Sequence, residues 1–423
     1  VTGATRWWQA RAVTREPLPR EFRVVFAGTL VNRVGTFVEP FLILYLTSQR
    51  GFTPAQAGLI LAAYGLGSMA SQVVGGWLTD HVGRRATLAG SLFASAASLV
   101  ALGAARGAVA ITVAAVLVGL FGDMYRPASQ ALVADVVPPE RRPYAFGLIY
   151  WAVNVGFAVA GVTAGYLAEQ GYWLLFVFDA LTCAIFAVVV LVGIRRDPPR
   201  AQPPGSDETA APPPGYGTVL RDGVFLVFLL ATALQAIAYF QSFVVLPLAV
   251  VDAGLSPSAY GIVAATNGIV VVVLQPLFVR LTADRDSVLV IAVALVISGV
   301  GFWLLTFAAS LGAFVLVTVV WTLGEVILAG HPAAVVSDLA DPRVRGRYLG
   351  AFGFAFGVAG FVAPLVGPAA YQGLGPSWVW TACLILFVAS AVIVLAARPA
   401  VRSRRAAISA GSDAASTGPT STP

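Results

Sequence analysis

Twelve apolar stretches dominate the sequence, and each is long enough to cross a bilayer. They cover 22–47, 54–79, 86–105, 109–135, 144–168, 172–194, 222–250, 257–281, 287–309, 312–337, 346–371 and 377–397. About 20 residues of helix span a hydrocarbon core of ~30 Å. Inside that core every backbone N–H and C=O must be satisfied within the protein, which leaves helices or a closed β-barrel. These runs are too long for barrel strands and lack strict period-two alternation. The fold class is therefore an all-α integral membrane protein with twelve transmembrane helices. Composition agrees, with 58% hydrophobic and 11% charged residues, where a soluble domain carries about 25% charged.

The chain also repeats itself at an offset of 203 residues. Gly51-Phe52-Thr53-Pro54 is answered by Gly254-Leu255-Ser256-Pro257, Gly58 by Gly261, Gln72 by Gln275, and Leu78-Thr79 by Leu281-Thr282. Duplicated membrane domains are a common plan for secondary transporters, whose substrate sites lie between the repeats. Segment 195–221 carries Pro198-Pro199, Pro203-Pro204 and Pro212-Pro213-Pro214 and reads as a linker without a core. The expected organisation is an N-terminal tail (1–21), a six-helix bundle (22–194), a linker (195–221), a second, pseudo-symmetric six-helix bundle (222–397) and a disordered tail (398–423).

Charge sets the expected orientation. The net charge is +6, and all 26 basic residues are arginine, which fits a GC-rich bacterial genome. With the N-terminus in the cytoplasm, Arg50 and Arg106 fall outside and Arg33 and Arg126 fall within helices. The other arginines lie inside or at inner helix ends, as the positive-inside rule requires. The expectation is a multi-pass protein of a bacterial plasma (inner) membrane with both termini cytoplasmic. Residues 1–21 read as an uncleaved tail, because the first apolar run is too long and polar for a signal peptide. The arginines flank spans and form no separate basic domain, so nucleic acid is not an expected partner. Two cysteines, Cys183 and Cys383, are too few for a disulfide framework, and two histidines give a metal site little support.

The loop between helices 2 and 3 reads Gly76-Trp77-Leu78-Thr79-Asp80-His81-Val82-Gly83-Arg84-Arg85-Ala86-Thr87-Leu88. It resembles the signature G-x-L-x-D-R-x-G-R-[RK]-x-x-[LI] of the major facilitator superfamily, with His81 in place of an arginine. Helix count, linker and repeat extend the resemblance over the whole chain. Gly83 permits a tight turn, and Arg84 and Arg85 hold the loop on the cytoplasmic side. The resemblance implies a conformational gate at Gly76, Asp80, Gly83, Arg84 and Arg85. The run Pro127-Ala128-Ser129-Gln130 with Asp135, the Tyr150-Trp151-Ala152-Val153-Asn154 segment and the Gly324-Glu325 pair are similar to the drug:proton antiporter branch. Departures are Ala115 for the helix 4 arginine, Val162 for a proline after Gly161, and Ile149 for an acid.

Ionisable residues inside a membrane are costly and mark function. Arg33 and Glu39 lie on helix 1, Asp123 and Arg126 on helix 4, and Glu325 on helix 10. The resemblance implies that helices 1, 4, 7 and 10 line a central cavity. Asp123 and Glu325 sit near the middle of their helices, 202 residues apart, and are expected to be quasi-symmetric. Asp123 and Arg126, at i and i+3, can form either a structural ion pair or part of the coupling site. Glu325 has no basic residue within one turn, and a proton would remove the cost of its charge. The proton-coupling candidates are Glu325, Asp123 and Glu39, with Arg126 and Arg33 as charge partners. Glu39, followed by Pro40, could bind a cation, carry a proton or lie near the outer mouth, and a bend is expected there. Expected cavity residues are Asn32, Tyr150, Trp151, Asn154, Gln235, Tyr239, Gln241, Trp321 and His331. Asn32 and Gln235 match at the repeat offset, and His331 fits either a proton relay or a structural hydrogen bond. Asp179 on helix 6 is read as structural or interfacial. Gly350, Gly353, Gly357 and Gly360 share a face of helix 11, where close helix approach is expected, and Pro364 and Pro368 would let that helix bend.

No nucleophile–base set, phosphate loop or metal cluster points to an enzyme. The sequence reading is a secondary active transporter, monomeric, using the proton gradient and no cofactor to export small amphiphilic or drug-like compounds. Its partners are the lipid bilayer, a small-molecule substrate and protons. A symporter importing a metabolite, sugar or peptide, or a lipid or glycolipid flippase, are the alternatives on the same fold.

Overall fold

The structure is a computed structural model, and it describes residues 17–138, 141–194, 216–340 and 345–416. It contains twelve apolar helical spans: α1 Arg20–Gln49, α2 Pro54–His81, α3 Arg84–Ala104, α4 Ala108–Val136, α5 Tyr144–Gln170, α6 Trp173–Gly193, α7 Gly223–Asp252, α8 Pro257–Thr282, α9 Ser287–Phe307, α10 Leu311–Leu339, α11 Arg347–Leu374 and α12 Pro376–Arg404. The chain is a multi-pass membrane protein, with no strand among the described residues. It divides into two compact units. One comprises Val1–Tyr45 and Ala63–Asp207, and the other Leu46–Ala62 and Glu208–Pro423.

Four spans are interrupted. α1 is helical over Arg20–Val34 and again from Val38, and α4 over Ala108–Gly122 and Tyr125–Val136. α7 is split into Gly223–Tyr239, Gln241–Val244 and Leu246–Asp252, and α10 into Leu311–Leu328 and His331–Leu339. These are the four spans expected to line a cavity. Broken helices free backbone groups, and a membrane tolerates that only where protein or a water-filled space supplies partners.

Helices in a bilayer associate by close packing of small residues and by buried polar contacts. In the first unit α2 meets α4 through glycines. A Cβ on Gly67 would lie 2.2 Å from the Val116 carbonyl, and one on Gly119 2.1 Å from the Tyr64 carbonyl. Phe22, Leu88, Leu92, Tyr125, Leu132 and Phe186 belong to the apolar core beside them. In the second unit Phe302 of α9 packs against Trp321 of α10 and Phe387 of α12, with ring centroids 5.3 Å apart in each pair.

Three expectations are corrected. The break in α1 falls at Gly35–Phe37, before Pro40, which lies inside the next helical run. The reason is a set of partners on α6, described below. Residues 398–416, expected to be disordered, continue α12 as helix to Ser416. Arg398 donates to Asp286 Oδ2 from Nε and Nη2 at 3.1 and 2.9 Å, Arg402 Nε donates to the same oxygen at 3.1 Å, and Arg404 pairs with Asp222 Oδ2 at 2.6 Å. These bonds hold the turns over 398–404. On α11, Gly353 faces open space and Gly360 makes only ordinary contact, 3.8 Å from the Phe240 ring. The close approach is at Gly367, where a Cβ would lie 2.0 Å from Gln241 Oε1. α11 stays helical through Pro364 and Pro368. Of the expected linker, 195–215 lies outside the described residues, and Tyr216–Leu220 forms a short helix.

Candidate functional site

Each unit holds one intramembrane carboxylate centre. In the first, the break in α4 places Asp123 at the end of one helical run and Met124 at the start of the next. Asp123 Oδ1 lies 2.8 Å from Arg126 Nε and 4.0 Å from Arg33 Nη2. Ser68 Oγ donates to Asp123 Oδ2 at 2.9 Å. Arg33 donates to the Tyr125 hydroxyl, with its guanidinium carbon 5.7 Å from the centroid of that ring. α5 lets Arg33 in because Gly156 has no side chain; a Cβ there would lie 2.5 Å from Arg33 Cβ. Glu39 is exposed, within electrostatic range of Asp123, Arg33 and Arg126. Tyr64 stands in the same field. Two guanidinium groups and two carboxylates therefore share one neighbourhood, so no charge there is isolated.

The second centre is built differently. Glu325 Oε2 accepts from Asn267 Nδ2 of α8 at 2.8 Å, and Oε1 accepts from the Tyr239 hydroxyl of α7 at 3.1 Å. Asn267 Nδ2 also reaches Thr322 Oγ1 at 3.1 Å. No basic side chain pairs with Glu325 among the described residues. The surroundings are aromatic: Tyr239 makes edge contacts with Trp321, Phe243 and Phe240 at 6.0, 5.8 and 6.2 Å. Gly324 seats α10 on α9, since a Cβ would come within 2.2 Å of Ser298 Oγ and 2.5 Å of the Ala294 carbonyl. In the Gly324-Glu325 pair, the glycine packs and the glutamate carries the charge.

Other expected cavity residues are engaged elsewhere. Asn32 is buried and donates to Cys183 Sγ of α6 at 3.2 Å. Gln241 is buried and donates to the Ile237 and Ala363 carbonyls, which ties α7 to α11. Both amides face into their bundle because a buried N–H₂ must find an acceptor. Gln235 is buried, Tyr150 and Trp151 are exposed on α5, and Asn154 donates to the Tyr150 carbonyl of its own helix. His331 follows the break in α10 and bonds Thr282 Oγ1 of α8 at 2.9 Å, outside the Glu325 network.

In the α2–α3 loop Gly83 has φ of 106°, a conformation open to glycine. Arg84 Nε pairs with Asp135 Oδ2 at 2.9 Å, and Arg85 Nη2 donates to the Leu191 carbonyl at 2.9 Å. Asp80 is exposed, and His81 stacks on Trp77 at 4.5 Å. Gly76 faces open space, whereas its neighbour Gly75 is the close-approach position, with a Cβ 2.7 Å from the Met124 carbonyl.

The sequence reading missed Ser68, Tyr64, Tyr125, Asn267 and Thr322. The repeat held a signal for two of them: Tyr64 and Asn267 are 203 residues apart, and each stands beside the acid of its own unit.

The chain is similar to known proteins along most of its length. The family model described as Major Facilitator Superfamily matches residues 25–256 and 229–419. A Na+, Li+, K+/H+ antiporter of Planococcus maritimus is 25% identical over 400 residues, covering 86% of this chain and 91% of that one. The multidrug resistance protein MdtH of Aeromonas hydrophila is 25% identical over 352 residues, covering 81% and 83%. Among solved structures, a peptide transporter POT in complex with sulfate superposes with a TM-score of 0.73 at 18% identity, covering 90% and 95%, a likeness of fold. Twelve apolar spans, four broken helices and a duplicated frame agree with that match, and the chain belongs to the Major Facilitator Superfamily, as a transporter and not an enzyme.

Proposed function

We propose that this transporter exports small amphiphilic or drug-like compounds by alternating access, driven by proton re-entry across a bacterial plasma membrane. The observation that carries this reading is Glu325. Its carboxylate lies within an apolar span, is held by two neutral donors, has no basic partner among the described residues, and is bordered by aromatic rings. Such a charge is stable in a membrane when a proton or a cationic ligand neutralises it, and competition between the two is what couples export to proton entry. Asp123 and Glu39 are secondary acids, set among Arg126 and Arg33. The names of the Aeromonas multidrug resistance relative and the Planococcus antiporter support the direction of transport. The protein works as a monomer, with no cofactor and both termini cytoplasmic.

Arg126 favours a second reading. Its side chain is 43% exposed beside Asp123, so it could grip an anionic group of an imported metabolite or peptide. Energised inverted vesicles separate the two readings. An exporter accumulates ethidium and discharges the pH gradient when ethidium is added, and Glu325→Gln abolishes both while the protein still folds. Undiminished transport by Glu325→Gln would remove that residue from the mechanism. Substrate-dependent proton movement seen only with anionic solutes would favour import.

A further inference from the structure

Asp179 of α6 is a buried carboxylate, 6% exposed, that neither centre uses directly. It lies against the break in α1. Ending the first run of α1 at Val34 takes the amides of Phe37 and Val38 out of the helical ladder, and Phe37 N–H donates instead to the Gly35 carbonyl at 2.8 Å. Both amides also donate to Asp179 Oδ2, at 3.2 Å each. A break inside the membrane stands only where protein or a water-filled space supplies partners, and here α6 supplies an acceptor. α6 is pressed against α1 at this height. A Cβ on Gly35 would lie 2.0 Å from Thr182 Oγ1, and one on Gly28 1.9 Å from the Phe186 ring. Thr182 Oγ1 returns to the Asp179 carbonyl at 2.9 Å, and the Cys183 thiol lies 3.9 Å from Oδ1.

The two sides of the break carry different parts of the first centre. Arg33 lies in the last turn of the first run and Glu39 in the first turn of the second, which continues to Gln49. The angle and offset between the runs set where Glu39 stands relative to Arg33 and Asp123. Arg33, Glu39 and Cys183 are the titratable groups close to Asp179.

We propose that Asp179 is a positioning residue: its carboxylate fixes the break in α1 and thereby holds Glu39 in place beside the Arg33–Asp123–Arg126 cluster. It acts through geometry and does not touch the substrate.

Two substitutions separate geometry from charge. Asp179→Asn keeps an acceptor oxygen in place and loses the charge. Asp179→Glu keeps the charge and moves the oxygens by one methylene. Amide hydrogen exchange on the full chain in lipid nanodiscs reads the break directly. Exchange at Phe37 and Val38 should stay within about threefold of the parent in the Asn variant and rise at least about tenfold in the Glu variant, with the α6 amides unchanged. Gradient-driven ethidium uptake, which rests on the export reading above, should follow the same order. The maximal rate should fall about tenfold in the Glu variant at an unchanged half-saturating concentration, and the Asn variant should retain it. The reverse ranking, or unaltered protection at Phe37 and Val38 in the Glu variant, overturns the proposal. Absence of ethidium uptake by the parent protein would count against the export reading alone, because the exchange ranking still decides the role of Asp179.

Discussion

Asp123 and Glu325 occupy nearly equivalent places in the repeat and solve the cost of a membrane charge in opposite ways. Asp123 is balanced by two arginines, whereas among the described residues Glu325 is met by an amide, a hydroxyl and aromatic rings. The first arrangement suits a lasting charge and the second a charge that comes and goes. Gly324 fixes the second centre. Gly324→Ala should push α10 off α9, costing about 1–3 kcal/mol as overpacking does, because the Ala294 carbonyl cannot yield as a flexible side chain would. Thermal unfolding in detergent should show it, together with weaker transport. The acids and arginines were legible in the sequence, because charges are rare in apolar runs. Thr322 was not, since a single Thr in a span is commonly a packing residue, and Asn267 was marked only by its repeat partner Tyr64. Asn32 and Gln241 were misread for the converse reason: polarity and repeat position do not say which way a side chain turns.

At the scale of elements, the breaks in α1, α4, α7 and α10 matter most. Each is followed by a proline in the first turn of the next run, Pro40, Pro127, Pro247 and Pro332, although proline alone does not break a span, since α11 runs helically through two. The break in α1 also depends on the Asp179 carboxylate of α6, a partner 141 residues away from Val38 in the chain. The end of α12 shows the same dependence on distant partners. Asp286 caps α9 by accepting from the amides of Val288 and Leu289, and it also receives Arg398 and Arg402. Burial alone would raise its carboxyl, but these donors outweigh that and lower it from 3.8 to about 2. A lowered folded-state value means the stabilisation is complete above about pH 4 and is lost as pH falls toward 2. The α12 extension should fray over that window, read as faster amide exchange in residues 398–404. Asp286→Ala should cost about 1 kcal/mol through the lost cap and expose the same residues at neutral pH.

For the molecule as a whole, the distribution of charge along the twelve apolar spans predicts a testable orientation. An even number of spans puts both termini on one membrane face, with the α2–α3 loop. Tags at either end, and a cysteine placed at Asp80 in a background lacking Cys183 and Cys383, should all be reached by an impermeant reagent in inverted vesicles and be shielded in right-side-out ones. Labelling in the opposite pattern would reverse the assigned direction of transport.

Fold class, the number of spans, the repeat and the identity of the intramembrane charges are all legible along the chain. Each follows from the energetics of placing residues in lipid, which depends on composition along the chain and little on distant contacts. Tertiary structure decided what those charges do. It paired Asp123 with Arg126 and Arg33, bonded Glu325 to Asn267 and Tyr239, set Asp179 against the broken α1, and turned Asn32 and Gln241 into their bundles. These outcomes depend on which helix faces which and at what height, and such information resides in packing between residues far apart in the chain.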